Sequence, residues 1–142
     1  MDQKPTTVWI IIGIVAAVGL YYMIYEGLFT IIGGGSFGLL AAIPSIILGL
    51  LTLIVAFLVY SGSGKTFLTI LLVLAIIGNL IEVMLLAFID SFIAEIEALI
   101  GEPIGSLGAA YFIQPIIFLV LAIVVFVLLY RPDVKAYFKA QN

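Results

Sequence analysis

Four long apolar runs constrain the fold of this chain more than any other feature of its sequence. Each run is about 20 residues or longer, which is the length that a helix needs to cross the hydrocarbon core of a bilayer. The runs are unbroken, whereas barrel strands would be about ten residues long and would alternate in polarity. We therefore predict four membrane-spanning helices, at about residues 7–32, 37–60, 66–89 and 109–130.

The composition indicates that lipid is the solvent of this chain. Hydrophobic residues make up 65% of its 142 residues, charged residues make up 9%, and the mean hydropathy is +1.43. A water-facing surface needs more polar side chains than this, so a soluble globular domain is excluded. The sequence predicts an all-α fold, a polytopic membrane four-helix bundle that forms a single domain over residues 1–142.

The five basic residues predict how the helices are oriented. Lys4 precedes the first run, Lys65 lies between the second and third, and Arg131, Lys135 and Lys139 follow the fourth. With four crossings, these positions share one side of the membrane. Because Lys and Arg are retained on the cytoplasmic side, we expect a multi-pass protein of the cell membrane with both termini cytoplasmic.

The remaining connectors predict two surface segments. Residues 90–106 form an acidic outer loop without Lys or Arg. Within this loop, residues 91–100 place apolar side chains on one helical face, and Gly101 and Pro103 follow as a stop signal. We expect a short outer amphipathic helix there, between the third and fourth spans. The tail, residues 131–142, is expected to form a basic amphipathic turn at the cytoplasmic surface.

Two residue types are missing from the sequence, and this limits its chemistry. The chain has no Cys and no His, which removes thiolate nucleophiles and the commonest ligands of zinc, copper and haem. We therefore expect no cofactor, no metal and no enzymatic activity. Residues 33–38 have the spacing of a dinucleotide-binding loop and residues 61–66 end like a phosphate-binding loop. Both are flanked by membrane helices, so neither a nucleotide nor a nucleic acid is an expected partner.

The second and fourth runs resemble each other. Residues 35–60 align without gaps with residues 105–130, at an offset of 70, and ten of the 26 positions are identical. The shared Gly-Ser-x-Gly entry and final Tyr are more specific than the shared aliphatic residues. We interpret the pattern as an internal repeat of two parallel hairpins. The alternative is that two helices crossing the same interfaces have converged on Gly and Tyr.

Polar and helix-breaking residues of the four apolar runs are predicted to lie at about the same depth in the membrane. Counted at 1.5 Å per residue from Trp9, Lys65, Arg131 and, for the second run, Ser61, they lie about 25 Å from the cytoplasmic face of a core about 30 Å thick, with Asn79 one turn below Glu82. The predicted buried polar layer consists of Glu26, Ser45, Asn79, Glu82 and Gln114. Pro44 and Pro115 are predicted helix kinks, since each removes one backbone hydrogen bond.

The two glutamates of this layer need an explanation, because a carboxylate near mid-span costs about 3 kcal/mol or more. Protonation, a hydrogen bond, a bound cation or a basic group from another chain would each stabilise Glu26 and Glu82. The alternative is that both reach the headgroups, which the tyrosines around Glu26 favour. For the prolines, shaping of helix packing is the alternative to a hinge or an ion ligand.

The two ends of the chain resemble those of a membrane protein family. Residues 4–20, KPTTVWIIIGIVAAVGL, and residues 130–138, YRPDVKAYF, resemble uncharacterised small four-helix integral membrane proteins of archaea and bacteria that end in Arg-Pro-x-Val-Lys-Ala-Tyr-Phe. The middle basic loop of those proteins usually holds Trp and Arg, whereas this chain has Tyr60 and Lys65 there. The resemblance implies the four-span topology and no established activity.

Two functions remain open from the sequence. Small size, missing cofactor ligands and carboxylates in predicted spans that lack Lys and Arg favour a non-catalytic structural or accessory subunit of a membrane assembly. The repeat, the prolines and the polar layer favour a small proton- or cation-coupled transporter or channel. The expected partners are the lipid bilayer and other membrane subunits or further copies of the chain. Small residues spaced by four, Gly13 with Ala17 and Ser45 with Gly49, can bring helices close together.

Overall fold

The four apolar runs form helices that are long enough to cross a membrane. The computed structural model describes residues 4–105 and 110–141, without the side chains of Ser36, Ala110 and Gln141. The described helices are α1 (Thr6–Gly33), α2 (Gly38–Tyr60), α3 (Lys65–Ile100), α4 (Ala110–Leu129) and α5 (Pro132–Gln141). The described residues contain no strand, and α1 to α4 are apolar enough to span a bilayer. The predicted all-α fold with four spans is confirmed.

Helix α1 changes its geometry halfway along. It begins after Pro5, whose carbonyl accepts a hydrogen bond from the Val8 N–H at 3.0 Å. Thr6–Leu20 and Phe29–Gly33 are α-helical, and Tyr21–Leu28 between them is a π-helix. A π-helix has i→i+5 hydrogen bonds, is rare, and is found frequently at functional sites. Nothing in the sequence had indicated it.

The glycine-rich segment after α1 is a turn between two membrane helices. Helix α1 ends at Gly33, the short 3₁₀ turn Gly35–Phe37 follows, and α2 begins at Gly38. This arrangement has no preceding strand, which a dinucleotide-binding loop requires. The segment is therefore a tight turn between two helices.

Helices α1 and α2 approach each other closely at a glycine. A Cβ atom at Gly49 would lie 2.8 Å from the Gly19 carbonyl oxygen and 2.8 Å from the Met23 nitrogen. A position this tight accepts glycine alone, as at other membrane helix contacts formed by small residues. By contrast, a Cβ at Gly13 would meet nothing within 4 Å, and Ala17 is exposed. Of the two predicted small-residue pairs, Ser45 with Gly49 therefore includes a residue of the close helix contact, whereas Gly13 with Ala17 does not.

Helix α3 is much longer than the predicted third span. It runs for 36 residues without a break, so residues 91–100 continue it. The expected separate outer helix is wrong, although these residues are helical. The physical reason is that neither Gly nor Pro occurs between Gly78 and Gly101 to interrupt the backbone. The stop itself is confirmed, because Gly101 has φ +77° and its N–H donates to the Glu97 carbonyl at 2.8 Å.

Helices α4 and α5 follow the outer loop. Pro115 lies inside α4 and is fully buried, and Pro44 occupies the corresponding region of α2 but is exposed. Helix α5 is the predicted tail segment. Its apolar face is buried, and this face consists of Val134, Tyr137 and Phe138. The predicted amphipathic character of the tail is confirmed, and its apolar face packs within the chain.

The chain divides into two compact units. The first unit, Met1–Leu71 with Val125–Asn142, contains α1, α2, α5 and the adjoining ends of α3 and α4, and the second unit is Leu72–Val124. The core of the first unit includes Val8, Ile11, Val55, Val59, Leu68, Leu129 and Val134. In the most apolar stretch of each helix, 33% of α2 is buried inside the protein but only 11% of α3. Most of the surface of α3 is therefore exposed.

The predicted internal repeat stays a prediction. Residues 106–109, which hold part of the second Gly-Ser-x-Gly entry, lie outside the described residues. In the first unit, the aligned Tyr60 and Tyr130 each have a lysine over the ring. Lys4 Nζ lies 4.2 Å from the centroid of Tyr60, and Lys135 Nζ lies 5.4 Å from that of Tyr130. The first and third helices differ, because α1 has 28 residues with a π-helical segment and α3 has 36.

Candidate functional site

Two residues of the predicted polar layer lie in contact in the first unit. The Ser45 hydroxyl of α2 donates a hydrogen bond to Glu26 Oε2 of α1 at 3.4 Å, and both side chains are half-buried. This distance is at the long end of the range for such a bond. A hydrogen bond of good geometry to a charged group contributes about 1.5–3 kcal/mol, and this long bond contributes less, so it offsets part of the roughly 3 kcal/mol cost of a carboxylate in the membrane.

The backbone around Glu26 is unusual. Glu26 lies within the π-helical segment Tyr21–Leu28, and this geometry changes which side chains share a helix face. The tyrosines predicted to lie at the membrane interface surround it. The rings of Tyr21 and Tyr25 are stacked, with their centroids 4.9 Å apart. Glu26 therefore combines a rare backbone conformation, a hydroxyl contact and aromatic neighbours.

Helix α2 adds a further polar atom near Ser45. Pro44 has no N–H, so the carbonyl of Leu40, one turn earlier, lacks its usual helical donor. Carboxylate, hydroxyl and carbonyl oxygens are the ligands that hard cations prefer. However, within the part of the chain that the structure describes, no group of three or more His, Cys, Asp or Glu residues could hold a metal ion. The geometry is compatible with proton or monovalent-cation chemistry at a single carboxylate.

The other three residues of the predicted layer belong to the second unit. Asn79 is 7% exposed, and its Nδ2 donates to the Ala75 carbonyl of the same helix at 2.7 Å. Glu82, one turn further along α3, is exposed on the surface of the chain, and Gln114 of α4 is half-buried beside the buried Pro115. The structure thus joins the pair on α1 and α2, while one layer shared by all five residues stays a prediction.

One carboxylate of the acidic segment has a structural role that the sequence did not indicate. Glu97 Oε1 accepts hydrogen bonds from the backbone N–H groups of Ile104 and Gly105, at 3.0 and 2.8 Å. Charged acceptors of this kind form the stronger class of hydrogen bonds. Glu97 therefore fixes the chain after the end of α3, whereas Glu95 and Glu102 are exposed.

The basic residues lie near the ends of helices in the first unit. We call this region the basic collar, and it consists of Lys4, Lys65, Arg131, Lys135 and Lys139 with the aromatic residues Trp9, Tyr60 and Tyr130. Lys4 Nζ lies 4.2 Å from the ring centroid of Tyr60 and 5.5 Å from that of Trp9. These two rings meet edge to face, with their centroids 5.9 Å apart. Cation–π contacts therefore connect Lys4, two residues before α1, to the end of α2.

Tyr137 fixes α5 to the end of α2. Its hydroxyl lies 2.9 Å from the carbonyl oxygens of both Val59 and Tyr60. The last carbonyls of a helix have no helical donor, so an external donor satisfies them. A hydroxyl has only one hydrogen, and the two carbonyls therefore share it. Because Tyr137 is buried, this contact and the apolar face of α5 together hold the tail against the first unit.

Asp133 of α5 pairs with Arg131 and accepts a hydrogen bond from Thr7 of α1. Its Oδ1 lies 3.3 Å from Arg131 Nε. Partial desolvation alone would raise the pKa of Asp133. Hydrogen bonds from Thr7, Arg131 and the Val134 N–H, together with the positive charge of Arg131, outweigh this effect and lower the pKa below its ordinary value. Asp133 therefore remains ionised and bonded at neutral pH.

The sequence predicted the positions of these collar residues but not their contacts. The basic residues and the aromatic residues near helix ends were visible as topology signals. Pairing Lys4 with Tyr60, or Tyr137 with α2, requires knowledge of which helix ends are neighbours. One signal was available: a tyrosine on the apolar face of a short helix needs a hydrogen-bond partner for its hydroxyl when it is buried.

These features define an all-α, multi-pass helical membrane protein with a densely packed basic end and an acidic, more exposed second unit. Comparison of the chain with protein families, with curated proteins and with solved structures found no match. The resemblance of the two chain ends to small four-helix membrane proteins therefore stays a prediction.

Proposed function

We propose that this chain is a non-catalytic accessory subunit of a membrane assembly, in which another membrane protein covers the end of α3. The observation that carries this proposal is the length of α3, 36 residues. At 1.5 Å per residue the helix is about 54 Å long, whereas the hydrocarbon core is about 30 Å thick.

Tilting does not remove this difference. Membrane helices tilt by up to about 40°, and at that angle a core of 30 Å accommodates about 39 Å of helix, or about 26 residues. About ten residues of α3 therefore lie beyond the hydrocarbon. If α3 enters the membrane at Lys65, these are residues 91–100, which we call the α3 extension.

The α3 extension is apolar on its surface. Phe92 is 54% exposed, Leu99 is 87% exposed and Ile100 is 58% exposed. Large apolar side chains outside the hydrocarbon favour contact with another protein. Glu95 and Glu102 are exposed beside them. Two copies of this acidic surface would repel each other, which favours a different chain as the partner over self-association.

Extraction of the protein from its native membranes in mild detergent tests this proposal. A partner is expected to copurify in fixed stoichiometry, and Phe92→Ser with Leu99→Ser is expected to reduce its recovery at least tenfold. Phe67→Ser is the matched control, since Phe67 has similar exposure, 62%, but lies at the other end of α3. A homogeneous monomer, or equal loss of the partner in both variants, would contradict the proposal.

The distribution of basic residues also supports an orientation, with both termini in the cytoplasm of a cell membrane. The chain contains no Cys, so single-cysteine variants can be labelled without background. Glu102→Cys, at an exposed position beyond the α3 extension, is expected to react with a membrane-impermeant maleimide in intact cells. Lys139→Cys is expected to react only after the cells are permeabilised, and the reverse pattern would overturn the orientation.

A second candidate function is proton- or cation-coupled transport. The observation that favours it is the contact between Glu26, in the π-helical segment of α1, and Ser45 of α2. Protein in liposomes would then show flux driven by a proton or cation gradient. Glu26→Gln is expected to abolish this flux, and Glu95→Gln, outside the spans, is the control. Flux that is absent from the wild-type protein would eliminate this candidate.

A further inference from the structure

The first unit concentrates positive charge at the basic collar. Two carboxylates in the described part of this unit could neutralise it, Glu26 and Asp133. Glu26 lies 17 residues beyond Trp9 along α1, a distance of about 25 Å. Asp133 is paired with Arg131 at 3.3 Å. Asp2 lies outside the described residues. The four lysines therefore leave a net positive charge at this end.

Aromatic rings hold two of these lysines in place. Lys4 lies over Tyr60 and Trp9, and Lys135 lies over Tyr130. The three rings are themselves about half exposed: 51% for Trp9, 47% for Tyr60 and 54% for Tyr130. A ring face restricts the motion of an ammonium group without cancelling its charge. Both lysines are thus oriented at the surface and can still bind an anion.

The depth of these groups matches that of phospholipid headgroups. Exposed Trp and Tyr at the ends of membrane helices lie at the headgroup level, which places the ammonium groups beside the phosphates. The apolar face of α5 is already buried against the first unit, while Lys135 and Lys139 are exposed. The tail can therefore contact the membrane surface through its lysines, but it has no exposed apolar face that could insert into the bilayer.

We propose that the basic collar binds the headgroups of anionic phospholipids in the adjacent leaflet, with Lys4 and Lys135 as the principal phosphate ligands. The phosphate of such a lipid meets the ammonium group, and its acyl chains lie along the exposed apolar sides of α1 and α4. Lysines near an anionic membrane surface each strengthen binding by roughly fivefold. This inference does not depend on the identity of any protein partner.

Fluorescence of Trp9 provides a direct test, because Trp9 is the single tryptophan of the chain. The protein is reconstituted in phosphatidylcholine vesicles that contain increasing fractions of brominated phosphatidylglycerol or brominated phosphatidylcholine. Bromine quenches tryptophan at short range, so quenching measures occupancy beside the collar. Brominated phosphatidylglycerol is expected to quench at a severalfold lower mole fraction, and high salt is expected to reduce this preference.

Variants identify the residues responsible. Lys4→Gln is expected to reduce the preference for phosphatidylglycerol about fivefold, Lys4→Arg to retain it, and Lys135→Gln to reduce it in the same direction. Glu95→Gln changes the net charge by the same amount in the opposite direction but lies in the second unit, so it is expected to leave the preference unchanged. Equal quenching by both brominated lipids would overturn the proposal. Lys4→Gln is informative only if it keeps its helical circular dichroism. If it does not, the wild-type protein provides the test: a preference for phosphatidylglycerol that does not change with salt would overturn the proposal.

Discussion

The two units of the chain differ in charge and in packing. The first unit holds all five basic residues and a continuous buried core. The second unit holds five of the eight acidic residues, which are Glu82, Asp90, Glu95, Glu97 and Glu102. Only 11% of the most apolar window of α3 is buried, against 33% in α2. The difference indicates that the first unit is stabilised by internal packing, whereas most of the surface of α3 is exposed.

The largest expected effect tests this difference in packing. Val134 is fully buried in the first unit, and Leu99 is 87% exposed in the second. Val134→Asp places an unpaired charge in an apolar core and is expected to lower the free energy of unfolding by about 4 kcal/mol. Leu99→Asp is expected to change it by less than about 0.5 kcal/mol. Unfolding in detergent micelles, followed by Trp9 fluorescence, measures both, and equal losses would remove the distinction.

A smaller effect is expected for two glycines, one in each unit. Gly49→Ala would place its Cβ 2.8 Å from Gly19 and Met23 backbone atoms, and such overpacking costs about 1–3 kcal/mol. Gly78→Ala meets nothing within 4 Å and is expected to stabilise α3 by up to about 1 kcal/mol, through helix propensity. The same unfolding assay compares them. A stabilising Gly49→Ala would show that α1 and α2 are not in close contact.

The sequence was sufficient to predict features that depend on local composition. Both ends of α1 and α2 and the last residue of α4 fall within one residue of prediction, because the apolar runs are bounded by Gly, Pro or charge. The predicted start of the fourth span, residue 109, lies outside the described residues. The end of α3 was wrong because acidic residues after position 89 were interpreted as a loop. Charge alone does not end a helix, and the apolar periodicity continues to Ile100.

The candidate site was less predictable than the fold. Counting residues placed Glu26 and Ser45 at one depth, and the structure joins them. The same counting placed Glu82 in a buried layer, but its side chain is exposed within this chain. Depth along a helix follows from sequence, whereas the direction of a side chain around the helix depends on which neighbours pack there. No pattern in the sequence had indicated the π-helical segment Tyr21–Leu28.

A moderate effect is expected at the contact that holds the tail. Tyr137→Phe removes the hydroxyl shared by the Val59 and Tyr60 carbonyls. We expect a loss of about 1.4 kcal/mol, which corresponds to about tenfold more frequent opening of α5. Hydrogen exchange of the α5 amides measures this opening. Tyr111→Phe, at an exposed tyrosine of the second unit, is the control. Unchanged exchange in Tyr137→Phe would mean that apolar packing alone holds α5.

The smallest effect is expected from acid, and it is confined to the first unit. Hydrogen bonds from Thr7 and Arg131 and the charge of Arg131 lower the pKa of Asp133 despite partial desolvation. A lowered pKa in the folded state means that Asp133 contributes stability above its unfolded value, 3.8, and that this contribution is lost as the pH falls through the folded value. The protection of the α5 amides, corrected for the intrinsic pH dependence of exchange, is therefore expected to be independent of this group from pH 7 to about 4 and to decrease below that.

Asp133→Asn separates this contribution from those of other carboxylates. The variant lacks the charge at every pH, so its α5 is expected to open more readily than wild type at pH 7. The two proteins are expected to converge as the pH falls through the lowered pKa of Asp133, since the wild-type carboxylate is then neutral as well. Arg131 keeps its charge throughout this range and does not contribute to the change. If the difference between the two proteins grew towards low pH, the pKa of Asp133 would not be lowered. Asp133 would then have no role in joining α5 to α1.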